Sequence, residues 1–213
     1  LNGVAGTIFK EDGTTIEYTG DNVKYLLESW KKLIDDGYTT TDIFADMEAN
    51  RTQFKSGQLA MHLAPASRWI EAGEVLGVEN VGVMPIPGTD VNGSLNYIHV
   101  MVIPKVSENQ ELAIQFIKEE ILKDSFQQGA INTYGKMSPL KAHYENLDNP
   151  YWPTVLGFTE NAITAPLYRD MTKLDTYTQT EMQQYLTGAE SIEDFQSRMD
   201  TYIGKLDLST GLS

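Results

Sequence analysis

Cysteine is absent from the 213 residues, which excludes a disulfide framework and any thiolate metal site. That absence is compatible with export without establishing it. Basic residues are few, 16 Lys and Arg against 30 Asp and Glu, and the formal net charge is −14. A surface of that sign argues against nucleic acid, where Lys and Arg must neutralise phosphates, and against electrostatic docking on anionic lipid. No run approaches the ~20 apolar residues of a membrane span. The opening stretch LNGVAGTIFKEDG lacks the basic and apolar regions of a signal peptide, so either a cytosolic protein or a mature or trimmed piece is expected. The three histidines, His62, His99 and His143, are scattered without metal-ligand spacing, so no metal or cofactor is expected. There is no GxSxG elbow, GxxxxGK[ST] loop or HExxH pair, and no catalytic role is assigned.

The chain is nonetheless built to fold. Its hydrophobic fraction is 41%, with 11 Tyr and 3 Trp, well outside the range of disordered chains. Its length suits one domain with an appended lobe. GTIF and TIEY read as a hairpin around KEDGT. A helix is expected over 22–36, with Val23, Leu26, Leu27, Trp30, Leu33 and Ile34 on one face and Gly37 as its stop. A second helix should begin near Asp42 or Asp46 and run to Lys55. Strands are expected at 58–63 (QLAMHL), 80–87 (NVGVMPIP) and 97–104 (YIHVMVIP). Beyond these the chain turns helical. Ser107 with Gln110 and Glu111 resembles a capping box, and Leu112, Ala113, Phe116, Ile117 and Ile121 form an apolar stripe. Further helices are expected over 124–132, after Pro150, in DMTKLDTYTQTEMQQYLTG up to Gly188, and after a Ser191 cap. Few strands among many helices make the class α/β.

Aromatic and polar residues gather at the ends of the expected strands and in turns. Trp69 follows APASR, Tyr97 and His99 open a strand, Tyr134 lies in NTYGKMSP, and Tyr168 lies in APLYRDM. Ligands of α/β proteins sit beyond strand ends and at lobe interfaces. An aromatic face flanked by hydrogen-bonding groups suits a sugar, apolar on its C–H face and hydroxylated at its edge. His62, expected in mid-strand, reads as structural.

Four segments, TGDNVKYLLESWKKLIDDGY, FKSGQLAMHLAPASRW, NVGVMPIPG with VMVIPKVSENQELAIQFIKEEI, and INTYGKMSPLKA with LTGAESIEDFQSRM, together resemble the extracellular solute-binding proteins of ABC importers, in their sugar-binding, maltose-binding-protein-like branch. The resemblance implies an α/β, class II periplasmic-binding-protein-like fold, helix-rich, comprising the C-terminal lobe and part of the N-terminal lobe. It implies a first part of the C-terminal lobe at 1–103, an excursion packed on the N-terminal lobe at 104–149, and closing helices at 150–213. Ligand contacts are implied at Ser67, Arg68, Trp69, Asn96, Tyr97, His99, Tyr168 and Asp175, with Trp69 open to solvent. Ser67 stands where the family often has a Trp, which leaves the identity of the sugar open. The implied partners are a carbohydrate and ABC permease subunits, and the implied location is extracellular, lipoprotein-anchored or periplasmic. The apolar stripe of 104–149 implies self-association wherever the other lobe does not cover it. A peptide or polyamine ligand, or a carbohydrate-active enzyme or accessory domain, are the alternatives.

Overall fold

Two apolar positions four residues apart, Val23 and Leu27, each 2% exposed, anchor the first helix among the described residues. The computed structural model describes residues 15–46, 48–87, 94–96, 99–145, 151–159, 162–164 and 168–209. Contacts divide the chain into two compact units. The first comprises Leu1–Gln53, Ile86–Asn96 and Asn161–Ser213; the second comprises Phe54–Pro85 and Tyr97–Glu160. Residues 104–149 share a unit with 54–85. The helices are α1 (Asp21–Asp35), α2 (Ala49–Lys55), α3 (Arg68–Leu76) and α4 (Gln110–Phe116). They continue as α5 (Asp124–Tyr134), α6 (Trp152–Phe158), α7 (Met171–Leu186) and α8 (Ile192–Ile203).

In the first unit α1 packs on α7 and α8. Phe195 and Met199, four residues apart on α8 and both 0% exposed, fill the centre with Leu174, Tyr185, Leu186 and Ile192. Trp30 and Ile34 pack half-buried against this core, as the periodicity of α1 requires. The corner between α7 and α8 is tight. Gly188 takes a left-handed φ of 82° and ends α7, a backbone position that costs a residue with a Cβ. Ser191 then caps α8, its Oγ accepting from the Asp194 amide at 3.1 Å. A short parallel pair completes the unit, β1 (Ser94–Asn96) beside β2 (Ala162–Thr164), with Leu95 opposite Ile163.

The second unit is built around aromatic rings. Trp69 on α3, Ile131 on α5, and Trp152 and Val155 on α6 form its buried cluster, with Ile70, Tyr144 and Tyr151 against it.

Several sequence expectations are corrected. The hairpin's first strand, GTIF, and Pro150 lie outside the described residues. The helix expected from Asp42 is split into a 3-10 turn at Asp42–Phe44 and α2, which starts at Ala49. No regular ladder includes 58–63, 80–87 or 99–104 among the described residues; 78–80 is a 3-10 turn instead. Met61, Leu63, Met84, Val100 and Val102 in these stretches are exposed. A β-pattern needs a partner edge for its backbone groups and its apolar face, and among the described residues these stretches find no more than a single bridge at Ile86. His62 accordingly lies outside any strand, against the Phe54 ring at 5.8 Å. Ser107 does not cap α4 from the expected position. Its Oγ accepts from the Asn109 amide, and Asn109 stands at the N-cap. The stripe of α4 is open, with Leu112 63% and Phe116 53% exposed; the helix passes into a π turn at Ile117–Ile121.

Phe195→Ala should cost about 3–5 kcal/mol, the range for emptying a buried aromatic site. Urea titration of the chain followed by circular dichroism measures it; a loss under about 1 kcal/mol would mean that α8 is not the centre of this core.

Candidate functional site

Two separate stretches of the second unit, the entry to α3 and the exit from α5, form a cleft. Pro65, Ser67, Arg68, Ile70, Glu71 and Glu74 line one wall, and Thr133, Tyr134 and Lys136 line the other, around about 270 Å³. Each wall follows from local chemistry. Pro65 and Ala66 turn the chain, and their carbonyls accept from the Arg68 and Trp69 amides at 2.9 and 3.3 Å. Helix α3 starts there, where Glu71 suits the positive end of the helix dipole. Glu71 also takes Lys55 at 2.6 Å and Arg68 at 3.5 Å. These are partly exposed pairs that orient side chains more than they stabilise the fold.

The opposite wall depends on Gly135. Its φ of 60° ends α5, with its amide on the Ile131 carbonyl and that of Lys136 on Ala130. A Cβ at this position would stand 2.9 Å from Ser67 Cα and 3.0 Å from Ile70 Cδ1. Only a residue without a side chain lets the end of α5 rest on the start of α3. The neighbouring Tyr134 is left 66% exposed, an aromatic face beside hydroxyl, guanidinium, ammonium and carboxylate groups.

Behind the cleft Trp69 is 8% exposed. Its ring lies 5.0 Å from Tyr151 and 6.4 Å from Trp152, the latter edge-on. The Tyr151 hydroxyl shares its proton between the Val78 and Val81 carbonyls. The expected open Trp69 is thus corrected: APASRW begins a helix, and the helical turn points the indole into the core. Its Nε1 is buried without a hydrogen-bond partner.

The loop after Lys136 is held by a polar staple. His143, 7% exposed, has Nδ1 2.8 Å from Ser138 Oγ and Nε2 3.2 Å from Asp124 Oδ1. Serine, histidine and carboxylate in a row invite comparison with a hydrolase triad. Here the serine is the buried end, accepting from the Leu140 amide at 3.1 Å, and Asp124 is the exposed end. No hydroxyl of this set faces solvent for attack. Tyr144 donates to the Ser138 carbonyl at 2.9 Å, and burial pushes its hydroxyl pKa up.

Of the residues expected at the site, Ser67 and Arg68 line the cleft and Trp69 supports it from behind. His99, in the same unit, is exposed outside any regular element. Tyr97 lies outside the described residues. Three belong to the first unit. Asn96 ends β1 half-buried, Tyr168 is in the core, and Asp175 is exposed on α7, where partial shielding pushes its carboxyl pKa up. Met171 packs against that core. Sequence reasoning passed over Glu71, Glu74, Thr133 and Lys136. No local signal marks them, because the approach of 65–71 to 133–136 exists only in the folded unit. Tyr134 did carry a signal, an aromatic in a polar glycine turn.

The family described as bacterial extracellular solute-binding protein matches residues 2–155. No curated protein matches the chain. Among solved structures, the chain is similar to the sugar-binding protein MalE from the phytopathogen Xanthomonas citri. That match has 13% identity and a TM-score of 0.70, covering 94% of this chain and 53% of that one. It is also similar to an ABC substrate-binding protein from Listeria monocytogenes in complex with cycloalternan. There the identity is 16% and the TM-score 0.72, over 94% and 53% of the two chains. The chain spans about half the length of these structures. At such identities the likeness establishes the fold, the helix-rich α/β architecture of periplasmic binding proteins, present here in part.

Trp69→Ala should now behave as a core truncation, costing about 3–5 kcal/mol. Thermal melts of the chain check it, and an unchanged melting temperature would return Trp69 to the surface.

Proposed function

The chain belongs to the bacterial extracellular solute-binding proteins, and from that membership we propose that it forms part of a protein that captures a carbohydrate for an ABC importer. The observation that carries the reading is the cleft between Ser67–Glu74 and Thr133–Lys136, with the open ring of Tyr134 beside Arg68, Glu71 and Thr133. A pyranose offers an apolar C–H face to such a ring and hydroxyls to the polar groups around it. The relatives support the same class of ligand, one described as sugar-binding and one in complex with an oligosaccharide.

In this reading the protein does no covalent chemistry. Tyr134 provides the stacking face, Arg68 and Lys136 donate to hydroxyl oxygens, and Glu71 or Glu74 accepts from hydroxyls. Ser67 in place of a bulkier aromatic leaves room for a different sugar from those that need two stacking rings. Asn96, Tyr97, His99, Tyr168 and Asp175 are proposed as further ligand contacts of the complete protein, Tyr168 through its backbone since its ring is in the core. Capture by closure of two lobes, delivery to permease subunits, and an extracellular position on a lipid anchor or in a periplasm complete the proposal. Self-association through the open stripe of α4 finds no support in the relatives' descriptions.

Calorimetry of the intact protein against a panel of oligosaccharides, with a polyamine and a peptide for comparison, tests the ligand class. Tyr134→Ala should weaken the best sugar by about 1–3 kcal/mol, roughly 5- to 150-fold, with the melting temperature unchanged. Undiminished sugar affinity in Tyr134→Ala would remove this cleft from the binding site, and binding of the polyamine or peptide alone would overturn the carbohydrate assignment.

A further inference from the structure

Away from the cleft, the first unit buries two carboxyl groups that the proposed function does not use. Glu181 stands on α7 and Glu190 in the corner before α8, with side chains 4% and 3% exposed. Glu181 Oε2 and both carboxyl oxygens of Glu190 have no hydrogen-bond donor. Arg198 on α8 is the cation beside them, its Nη1 3.6 Å from Glu181 Oε2 and its Nε 3.4 Å from Glu190 Oε2. These distances give attraction without a good hydrogen bond. Two ionised carboxylates against one half-exposed guanidinium leave an excess buried negative charge and orphaned acceptors, a costly arrangement.

We propose that Glu181 and Glu190 hold one proton between them, and that this proton latches the end of α7 to the corner that leads into α8. A single proton resolves both difficulties. It removes the excess charge, and it turns one carboxyl into a donor to the other, as in other close carboxyl pairs. The surrounding groups are consistent with that state. The Tyr177 ring on α7 stacks on Tyr202 of α8 at 3.8 Å, and burial, then the nearby Glu181, pushes the Tyr177 hydroxyl pKa up. Asp194 of α8, which also acts on Glu190, is held in its charged form by Ser191. Lys24, Glu28 and Asp35 of α1, the third helix packed here, act instead on Tyr185. Burial, then the neighbouring Glu181, pushes the Glu190 carboxyl above its ordinary range.

The sign of the pH effect follows. A carboxyl whose folded pKa is raised contributes its stability fully below the unfolded value and loses it as pH rises through the folded value. The latch is closed at low pH and loosens as pH rises through the raised folded value, opposite in direction to Asp170, Glu193, Asp194 and Asp207, whose pKa values are lowered. The device involves no cleft residue, so its test is separate from that of the ligand.

Thermal melts of the full chain and of Glu190→Gln between pH 4 and 8 read it out. Glutamine carries a permanent amide donor, so the variant should match the wild type at the acid end and melt progressively higher as pH rises. A gap that stays constant, or a variant that melts lower at neutral pH, overturns the shared proton. A carbon-13 NMR titration of the wild-type glutamate carboxyls decides the matter even if the variant folds poorly. One glutamate midpoint above the ordinary carboxylate range is expected, and a full set at or below that range overturns the proposal.

Discussion

Burial of the Trp69 indole is the constraint on which the second unit turns. The ring joins α3 to α5 through Ile131 and to α6 through Trp152 and Val155, and a cluster so rich in aromatic area dominates the packing free energy of a small core. Because Trp69 is the second residue of α3, its inward anchor sets the rotation of that helix. Ser67, Arg68 and Glu71 then face the exit of α5. The same anchor is why the exposed aromatic of the cleft is Tyr134 and not the tryptophan. A ring cannot both fill a core and lie open to a ligand.

The two walls also show how little sequence is needed to bring a site together. Gly135 removes one Cβ, and the end of α5 comes to rest on Ser67. The Ser138–His143–Asp124 staple holds the loop that follows, each polar atom finding a partner at the edge of the unit. The first unit handles its buried polar groups in another way. It leaves Glu181 and Glu190 short of donors within its helical corner, and the missing donor is supplied by a proton. One solution depends on geometry and the other on pH.

Much of the first unit was legible from residue spacing. α1, with Val23 and Leu27 inward, and α8, with its Ser191 cap and Phe195 and Met199 inward, fall where the periodicity and end signals put them. Strands were misread, since QLAMHL and YIHVMVIP are short apolar runs like those of strands, yet the described residues of neither lie in a ladder. The stripe of α4 was visible as a pattern, but a pattern does not say whether a partner covers it. Of the residues that line the cleft, Ser67 and Arg68 had been named through a resemblance and Tyr134 noted for its turn, whereas Glu71, Glu74, Thr133 and Lys136 carried no mark.

Taken by itself, the sequence determined what depends on neighbours within a turn or two: helix faces, the glycine stops at Gly37 and Gly188, the serine cap, and the excess of negative charge that argues against nucleic acid as a partner. Only the tertiary structure decided which aromatic is buried and which is open, which two stretches form the cleft, and which two of thirty acids are buried beside one guanidinium. The physical reason is one of range. Capping and helical periodicity are satisfied by atoms a few residues apart, so they are written locally. Burial and desolvation depend on groups tens of residues away, which meet only when the chain is folded.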